Sequence, residues 1–204
     1  MAALTRKHHR AAVETLAARD SDLHAIVQCH GPPPFRTRQI GFETLVHIIL
    51  EQQVSLASAQ ATLNKLTPLL PGFTPAAYLG LTDEDLRGAG VSRQKMRYTR
   101  AVAAAIEDGS LPITTLARRS DDRVRELLTA LPGIGNWTAD CYLMLALKRP
   151  DLWPVGDLAL VKAIQAVKGL QERPDAGFLD ELGQRYRPLR SVATQLYWHQ
   201  YLSQ

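Results

Sequence analysis

Hydrophobic positions along the chain recur with helical spacing, and no stretch of useful length alternates every second residue as a half-buried strand would. The clearest case follows Gly41, where Phe42, Leu45, Val46, Ile49 and Leu50 fall at i, i+3, i+4, i+7 and i+8. The next position on that stripe is Gln53, so an apolar face ends in two amides, Gln52 and Gln53. They read either as an ordinary helix end or as polar groups offered to a partner at the tip of a rigid helix. Upstream, residues 4–19 place Leu4, Val13, Leu16 and Ala17 among charges, and Asp20 or Ser21 can cap a second helix through Leu23, Ile26 and Val27. Gly31 sits where a helix terminates, and Pro32, Pro33 and Pro34 forbid continuation, so a stiff linker and the first domain boundary are expected there.

Further along, Ser55 caps a helix over Leu56–Leu66, and residues 68–75 read as a loop. Thr82, with Asp85 three residues on, starts a short helix that Gly88 and Gly90 end. Ser92 caps the next, with Tyr98, Val102, Ala105 and Ile106 as its apolar face. Arg93, Arg97 and Arg100 stack on it at i, i+4 and i+7, either as a solvated row or as phosphate contacts. Ser120 leads into a helix carrying Val124, Leu127 and Leu128, and the last helix runs from about residue 189 to 202. The expected class is all-α, with about ten short helices and no internal repeat.

One stretch, residues 131–161, departs from this routine. It opens with the turn Leu131-Pro132-Gly133-Ile134-Gly135, and two glycines two apart allow positive φ and a close approach of a ligand to the backbone. A helix begins near Asn136 and Trp137, so its first N–H groups point back at the turn, a combination suited to phosphate; a plain helix–turn–helix connector is the alternative. That helix is apolar almost all round from Ala139 to Leu147, with Asp140 as its one early charge, and reads as central to the core. Pro150 and Pro154 break the chain, and a single acid, Asp157, precedes the run Leu158, Leu160, Val161 and Ile164. Asp157 can cap that helix, and the N–H bonds that a capping carboxylate accepts favour the ionised form that stabilising a developing cation requires; the two roles are compatible. On the last helix, Leu189, Val192, Ala193, Leu196 and Tyr197 form the core stripe. Trp198 lies off it with Ser191, Thr194 and Gln195, either as a surface residue or as a cavity wall.

Composition narrows the picture only a little. A chain of 204 residues, 46% hydrophobic, suits one domain or two small lobes. No apolar run approaches the ~20 residues that cross a bilayer, and the N-terminus lacks the apolar core of an export signal. A cytoplasmic location is therefore expected, nucleoid-associated if the source is prokaryotic. Two cysteines, Cys29 and Cys141, cannot hold a four-thiolate iron–sulfur cluster, and Cys141 reads as a buried thiol. A net charge of +4 and a pI near 9.2 are compatible with nucleic acid without requiring it.

LPGIGNWTAD, followed about twenty residues later by WPVGDLAL, resembles the helix–hairpin–helix superfamily of DNA glycosylases, nearest to the 3-methyladenine DNA glycosylase II (AlkA) type. The likeness extends to FETLVHIILEQQVS, GVSRQKMRY and the Arg190–Ser191 to Trp198 region. It implies a two-lobed helical fold with an active-site cleft between the lobes. One lobe of six helices would take residues 36–150 and carry the hairpin; the other would join residues 1–35 to 151–204. The extra N-terminal β domain of the AlkA type is not expected. The implied roles are Asp157 as catalytic acid, Trp137 and Trp198 as aromatic walls of the base pocket, and Gln53 as the wedge that fills the gap left by a flipped nucleotide. Gly133, Ile134, Gly135, Asn136 and Thr138 would grip DNA phosphate. Backbone carbonyls of Thr129, Leu131 and Ile134 would hold a monovalent cation, and no other cofactor is implied. Cys141 and Leu158 stand in the pocket where the bacterial type has tyrosines, which leaves the substrate range open.

Bifunctional relatives carry a lysine where this chain has Trp137, and without that amine no Schiff base can form. The expected activity is thus a monofunctional glycosylase of base excision repair, acting as a monomer on alkylated purines such as 3-methyladenine in double-stranded DNA. The alternatives are a non-catalytic helix–hairpin–helix DNA-binding module, a glycosylase for other damaged bases, and a lyase using a displaced amine such as Lys162.

Overall fold

The structure is a computed structural model and describes residues 3–203. Among these residues it is helical throughout, with no strand. The helices are α1 (Arg6–Arg19), α2 (Ser21–His30), α3 (Phe42–Glu51), α4 (Leu56–Leu66), α5 (Pro75–Gly80), α6 (Asp83–Gly88), α7 (Arg93–Glu107), α8 (Asp121–Thr129), α9 (Asn136–Leu145), α10 (Leu158–Val167), α11 (Ala176–Arg185) and α12 (Arg190–Leu202). Short 3₁₀ turns occupy Thr67–Leu69, Pro71–Phe73 and Ile113–Arg118. No helix among the described residues is long and apolar enough to cross a membrane.

Local chemistry sets most of these boundaries. Asp20, Ser55, Thr82, Ser92, Ser120 and Asp157 each accept a backbone N–H in the first turn of the helix they precede. At Thr82 the bond is reciprocated by Asp85, closing a capping box. Gly31 ends α2 at φ 75°, a left-handed position that glycine occupies without strain. Two helices escape the periodicity argument: α5, only six residues long and following the expected loop of residues 68–75, and α11, whose buried stripe is reduced to Leu179, Leu182 and Gly183.

The chain divides into two compact units, one of residues up to Thr37 together with those from Leu143 onward, the other Arg38–Tyr142. Residues 143–150, expected with the central lobe, group instead with the two ends of the chain. Backbone bonds account for this: Leu4 donates to Lys148 at 2.8 Å, and Ser191 donates to Pro150 at 3.0 Å.

In the terminal unit, Leu16, Leu23, Ile26, Leu160, Val161, Ile164, Leu182, Val192 and Leu196 form the core. Trp153, Tyr186 and Tyr197 pack together at its centre, with ring centroids 5.7 to 6.2 Å apart. Their polar tips are all partnered: Trp153 Nε1 donates to Leu179 O at 2.9 Å, and Tyr186 donates to Asp20 Oδ2 at 3.0 Å while sharing a 2.8 Å bond with Tyr197. Burial, joined for Tyr186 by the neighbouring Tyr197 and Asp20, pushes both phenols well above their ordinary value. In the central unit the stripe of α3 is buried as its spacing predicts, and the Phe42 ring meets Tyr78 edge-on at 5.3 Å. Tyr78 in turn shares a 2.6 Å bond with Thr99.

Candidate active site and nucleic-acid interface

In the central unit the turn ahead of α9 is built around Gly133. Its φ is +77°, and a Cβ there would collide with the Tyr98 ring of α7, so both backbone conformation and space demand glycine. Gly135 differs: it is not in the left-handed region, and a Cβ would meet nothing within 4 Å. Its carbonyl accepts from Ala139 N at 3.1 Å, which places it at the entry to α9. The expectation that both glycines serve positive φ therefore holds for Gly133 alone. Ile134 donates its N–H inside the turn, to Leu131 O at 3.2 Å, and buries its side chain. Gly133, Gly135 and the first turn of α9 are then the candidate backbone donors to phosphate, at the positive end of the helix dipole.

Gln52 shapes this turn from the side. Its Nε2 donates to Gly133 O at 2.9 Å and to Thr138 Oγ1 at 3.0 Å. Thr138 is 1% exposed as a whole residue, and its side chain braces the hairpin from inside. Lys95 of α7 adds a further brace by donating to Leu50 O, in the last turn of α3, at 2.7 Å; burial lowers its pKa from the ordinary lysine value. Glu51 is held by both guanidinium nitrogens of Arg38, at 3.0 and 2.6 Å. Gln53 follows with φ 56°, exposed beyond the end of α3, with Val54 and Leu56 exposed beside it. Of the two amides at the end of the apolar stripe, Gln52 turns inward to the hairpin and Gln53 stands out at the tip.

The carbonyls of Thr129, Leu131 and Ile134 suit a monovalent cation in kind. Thr129 ends α8, where carbonyls run out of helical donors. Leu131 O takes one N–H from Ile134 and keeps a second lone pair. Among the described residues no group of three or more His, Cys, Asp or Glu could hold a metal ion. Trp137 is half-buried in the first turn of α9, and Cys141 is buried and outside any disulfide. Asp140 is half-buried and paired with Arg125 at 2.7 Å, in keeping with a structural role.

In the terminal unit Asp157 lies at the end of a tight turn, its N–H donating to Pro154 O at 2.8 Å. The carboxylate is 6% exposed, and its Oδ1 accepts Leu160 N at 2.6 Å and Trp198 Nε1 at 2.9 Å. So Asp157 is a cap, as its place before α10 suggests, and the same bonds fix its orientation. Leu158, next in sequence, is 54% exposed. Trp198 is half-buried on α12, 41 residues away in the chain. Its polar neighbours face inward: Ser191, Thr194 and Gln195 are all buried. Ser191 Oγ accepts from Leu152 N at 2.9 Å, and Gln195 Oε1 from Arg36 N at 3.3 Å, so these side chains serve backbone groups of irregular segments.

α12 thus holds the segment before Asp157 at two points. Near the C-terminal end of the helix Trp198 bonds the acid itself. At its start Arg190 grips Asp151 through Nε at 2.7 Å and through its Nη2 at 3.0 Å. Burial alone would raise the Asp151 pKa; the bonds and charge of Arg190 outweigh it and hold the carboxyl below its ordinary value.

Residues 46–188 match the HhH-GPD superfamily base excision DNA repair protein family. The chain belongs to that family. It is 25% identical over 186 residues to the YfjP protein of Bacillus subtilis; the match covers 87% of this chain and 65% of YfjP. Among solved structures it is similar to the Schizosaccharomyces pombe 3-methyladenine DNA glycosylase Mag1 in complex with abasic DNA, with a TM-score of 0.86 and 25% identity over 92% of this chain and 95% of that one. A DNA-3-methyladenine glycosidase from Bacillus halodurans is 34% identical, with a TM-score of 0.76 over 92% of this chain and 87% of that one.

Proposed function

We propose that the protein is a monofunctional DNA glycosylase of base excision repair that hydrolyses the N-glycosidic bond of alkylated purines such as 3-methyladenine in double-stranded DNA. The observation that carries this reading is Asp157, a buried carboxylate whose orientation is fixed by Leu160 N–H and the Trp198 indole. The family and the named relatives supply the DNA-repair context in which such an acid has work to do.

The chemistry follows from the substrate. The base must leave the duplex stack, which costs a few kcal/mol and costs least for a damaged base. Alkylation at N3 or N7 makes the purine a cation, so it departs with the glycosidic electron pair and needs no general acid. One carboxylate then suffices where typical sugar hydrolases use two. As the bond between C1′ and the base nitrogen breaks, positive charge grows on the sugar, and the fixed Asp157 carboxylate stabilises it. Water adds its oxygen to C1′ and loses a proton, for which Asp157 is the acceptor. Trp198, bonded to Asp157, offers a π face to a cationic base, worth ~0.5–2 kcal/mol. Trp137 fills the position of the lyase amine, so the product is an abasic site in an unbroken strand. A monovalent cation on the carbonyls of Thr129, Leu131 and Ile134 would add positive charge beside the phosphate-binding turn.

The test is base release from duplexes carrying 3-methyladenine, with Asp157→Asn as the control. Release by the native chain and retained DNA binding without release by Asp157→Asn are expected. Binding without release by both chains would favour a DNA-binding module instead.

A further inference from the structure

A shallow groove of about 270 Å³ lies on α6 and α7, lined by Asp83, Arg87, Arg93, Met96, Arg97 and Arg100. Four guanidinium side chains and one carboxylate meet there. Arg100 is committed: it bonds Leu81 O at 2.8 Å and Asp83 Oδ1 at 3.0 Å, which also neutralises that acid. Arg87 reaches Glu84 only at 3.9 Å, with both side chains largely in solvent. Arg93 and Arg97 have no carboxylate partner among the described residues. The groove therefore gathers three weakly compensated positive charges over the buried Met96.

Its neighbours matter as much as its charge. The Arg97 guanidinium lies over the Tyr98 ring, 5.4 Å from the centroid, and it is this ring that packs on Gly133 of the hairpin turn. Lys95, between the two arginines in sequence, anchors the end of α3 just before Gln53. Arg93 and Arg97 stand one helical turn apart, about 6 Å along the axis. Phosphates of one DNA strand advance by about 3.4 Å per step along the duplex, so every second phosphate lies about 7 Å on.

We propose that the arginine groove of α6 and α7 is a second seat for the phosphodiester backbone of duplex DNA, continuing the track that begins at the Gly133 turn. It rests on the DNA-glycosylase reading above. Arg93 and Arg97 hold phosphate as exposed guanidiniums do, by paired N–H donors, with Arg87 flanking them. The contact carries no sequence information and acts on affinity and its dependence on salt.

The test measures affinity of the full chain for a 24-base-pair duplex with a central abasic-site analogue, across a series of salt concentrations. Loss of two phosphate contacts lowers the slope of log affinity against log salt by roughly 1.8, at about 0.9 per contact. Arg93→Gln/Arg97→Gln is expected to show that loss, together with at least tenfold weaker binding at low salt. Arg87→Gln/Arg97→Gln, which alters two different helices, shifts the slope the same way and guards against a folding defect in one variant. Arg6→Gln/Lys7→Gln removes the same charge from α1 and keeps the native slope. Unchanged slopes in both arginine pairs overturn the proposal, and so does an equal fall in the α1 control. A native chain whose duplex binding shows no salt dependence overturns the DNA-glycosylase reading as well.

Discussion

The two ends of α9 and its following loop lead to sites built on opposite logic. On the proposed reading the working groups at the hairpin turn are backbone N–H donors, and the side chains around them shape the backbone: Tyr98 packs on Gly133, Gln52 ties Gly133 O to Thr138, and Lys95 steadies the helix that presents Gln52. At Asp157 the working group is one side chain, and backbone and indole serve it through Leu160 N–H and Trp198 Nε1. A backbone site binds any phosphate and cannot easily be removed by substitution, only deformed. A side-chain site does chemistry and can be deleted by a single atom change. Damage to the first should appear in DNA affinity, and damage to the second in the rate of base release.

The sharpest way to break that contrast is Asp157→Asn. Base release should fall about 10³-fold, as when a preorganised electrostatic partner of a transition state is removed, while binding to an abasic-site duplex persists; release of 3-methyladenine near the native rate would sink the assignment. Gly133→Ala should do the reverse. The added Cβ forces apart the turn and the Tyr98 ring at a position of φ +77°, for a cost of about 1–3 kcal/mol. Titrations of duplex DNA should show affinity falling by more than the rate at saturation.

Asp151→Asn tests whether the start of α12 matters to the acid it helps to place. Loss of the charge-assisted bonds to Arg190 should destabilise the fold by about 2 kcal/mol near neutral pH. Because the folded-state pKa of Asp151 is lowered, its contribution is present above the ordinary carboxylate range and lost as pH falls through it. The gap between native and variant unfolding curves should therefore close below about pH 4. Trp198→Phe gives the smallest effect: an aromatic face is kept and one bond to Asp157 Oδ1 is lost, so release should slow by roughly tenfold, about the 1.4 kcal/mol of one such bond. An unchanged rate would mean that the backbone cap alone orients the acid.

Much of the fold was legible because it is written in local chemistry. The stripe of α3, the capping residues Ser55, Thr82, Ser92 and Ser120, and the terminator Gly31 need only neighbours within a few positions. α5 and α11 were hidden, the first by its length and the second by a stripe of only two large apolar residues, Leu179 and Leu182. At the site, Asp157 could be read as a cap, but its bond to Trp198 spans 41 positions and no spacing rule reaches that far. The adjacent amides show a finer limit. Which of Gln52 and Gln53 faces the hairpin depends on the left-handed turn at Gln53, a conformation that a glutamine does not announce. Ser191, Thr194 and Gln195 read as a polar face, yet all three lie inside the unit; Ser191 and Gln195 are there as partners for irregular backbone.

The positive φ of Gln53 sets folding against function at one residue. A side-chain-bearing residue in that region is disfavoured by ~1–2 kcal/mol, which glycine would relieve in part while giving back ~0.5–1 kcal/mol of chain entropy. A Gln53→Gly chain should thus melt no lower than the native protein, and slightly higher where relief wins. On the proposed reading it would also lack the side chain that fills the gap in an opened duplex, so duplex affinity and base release should fall while the melting temperature holds.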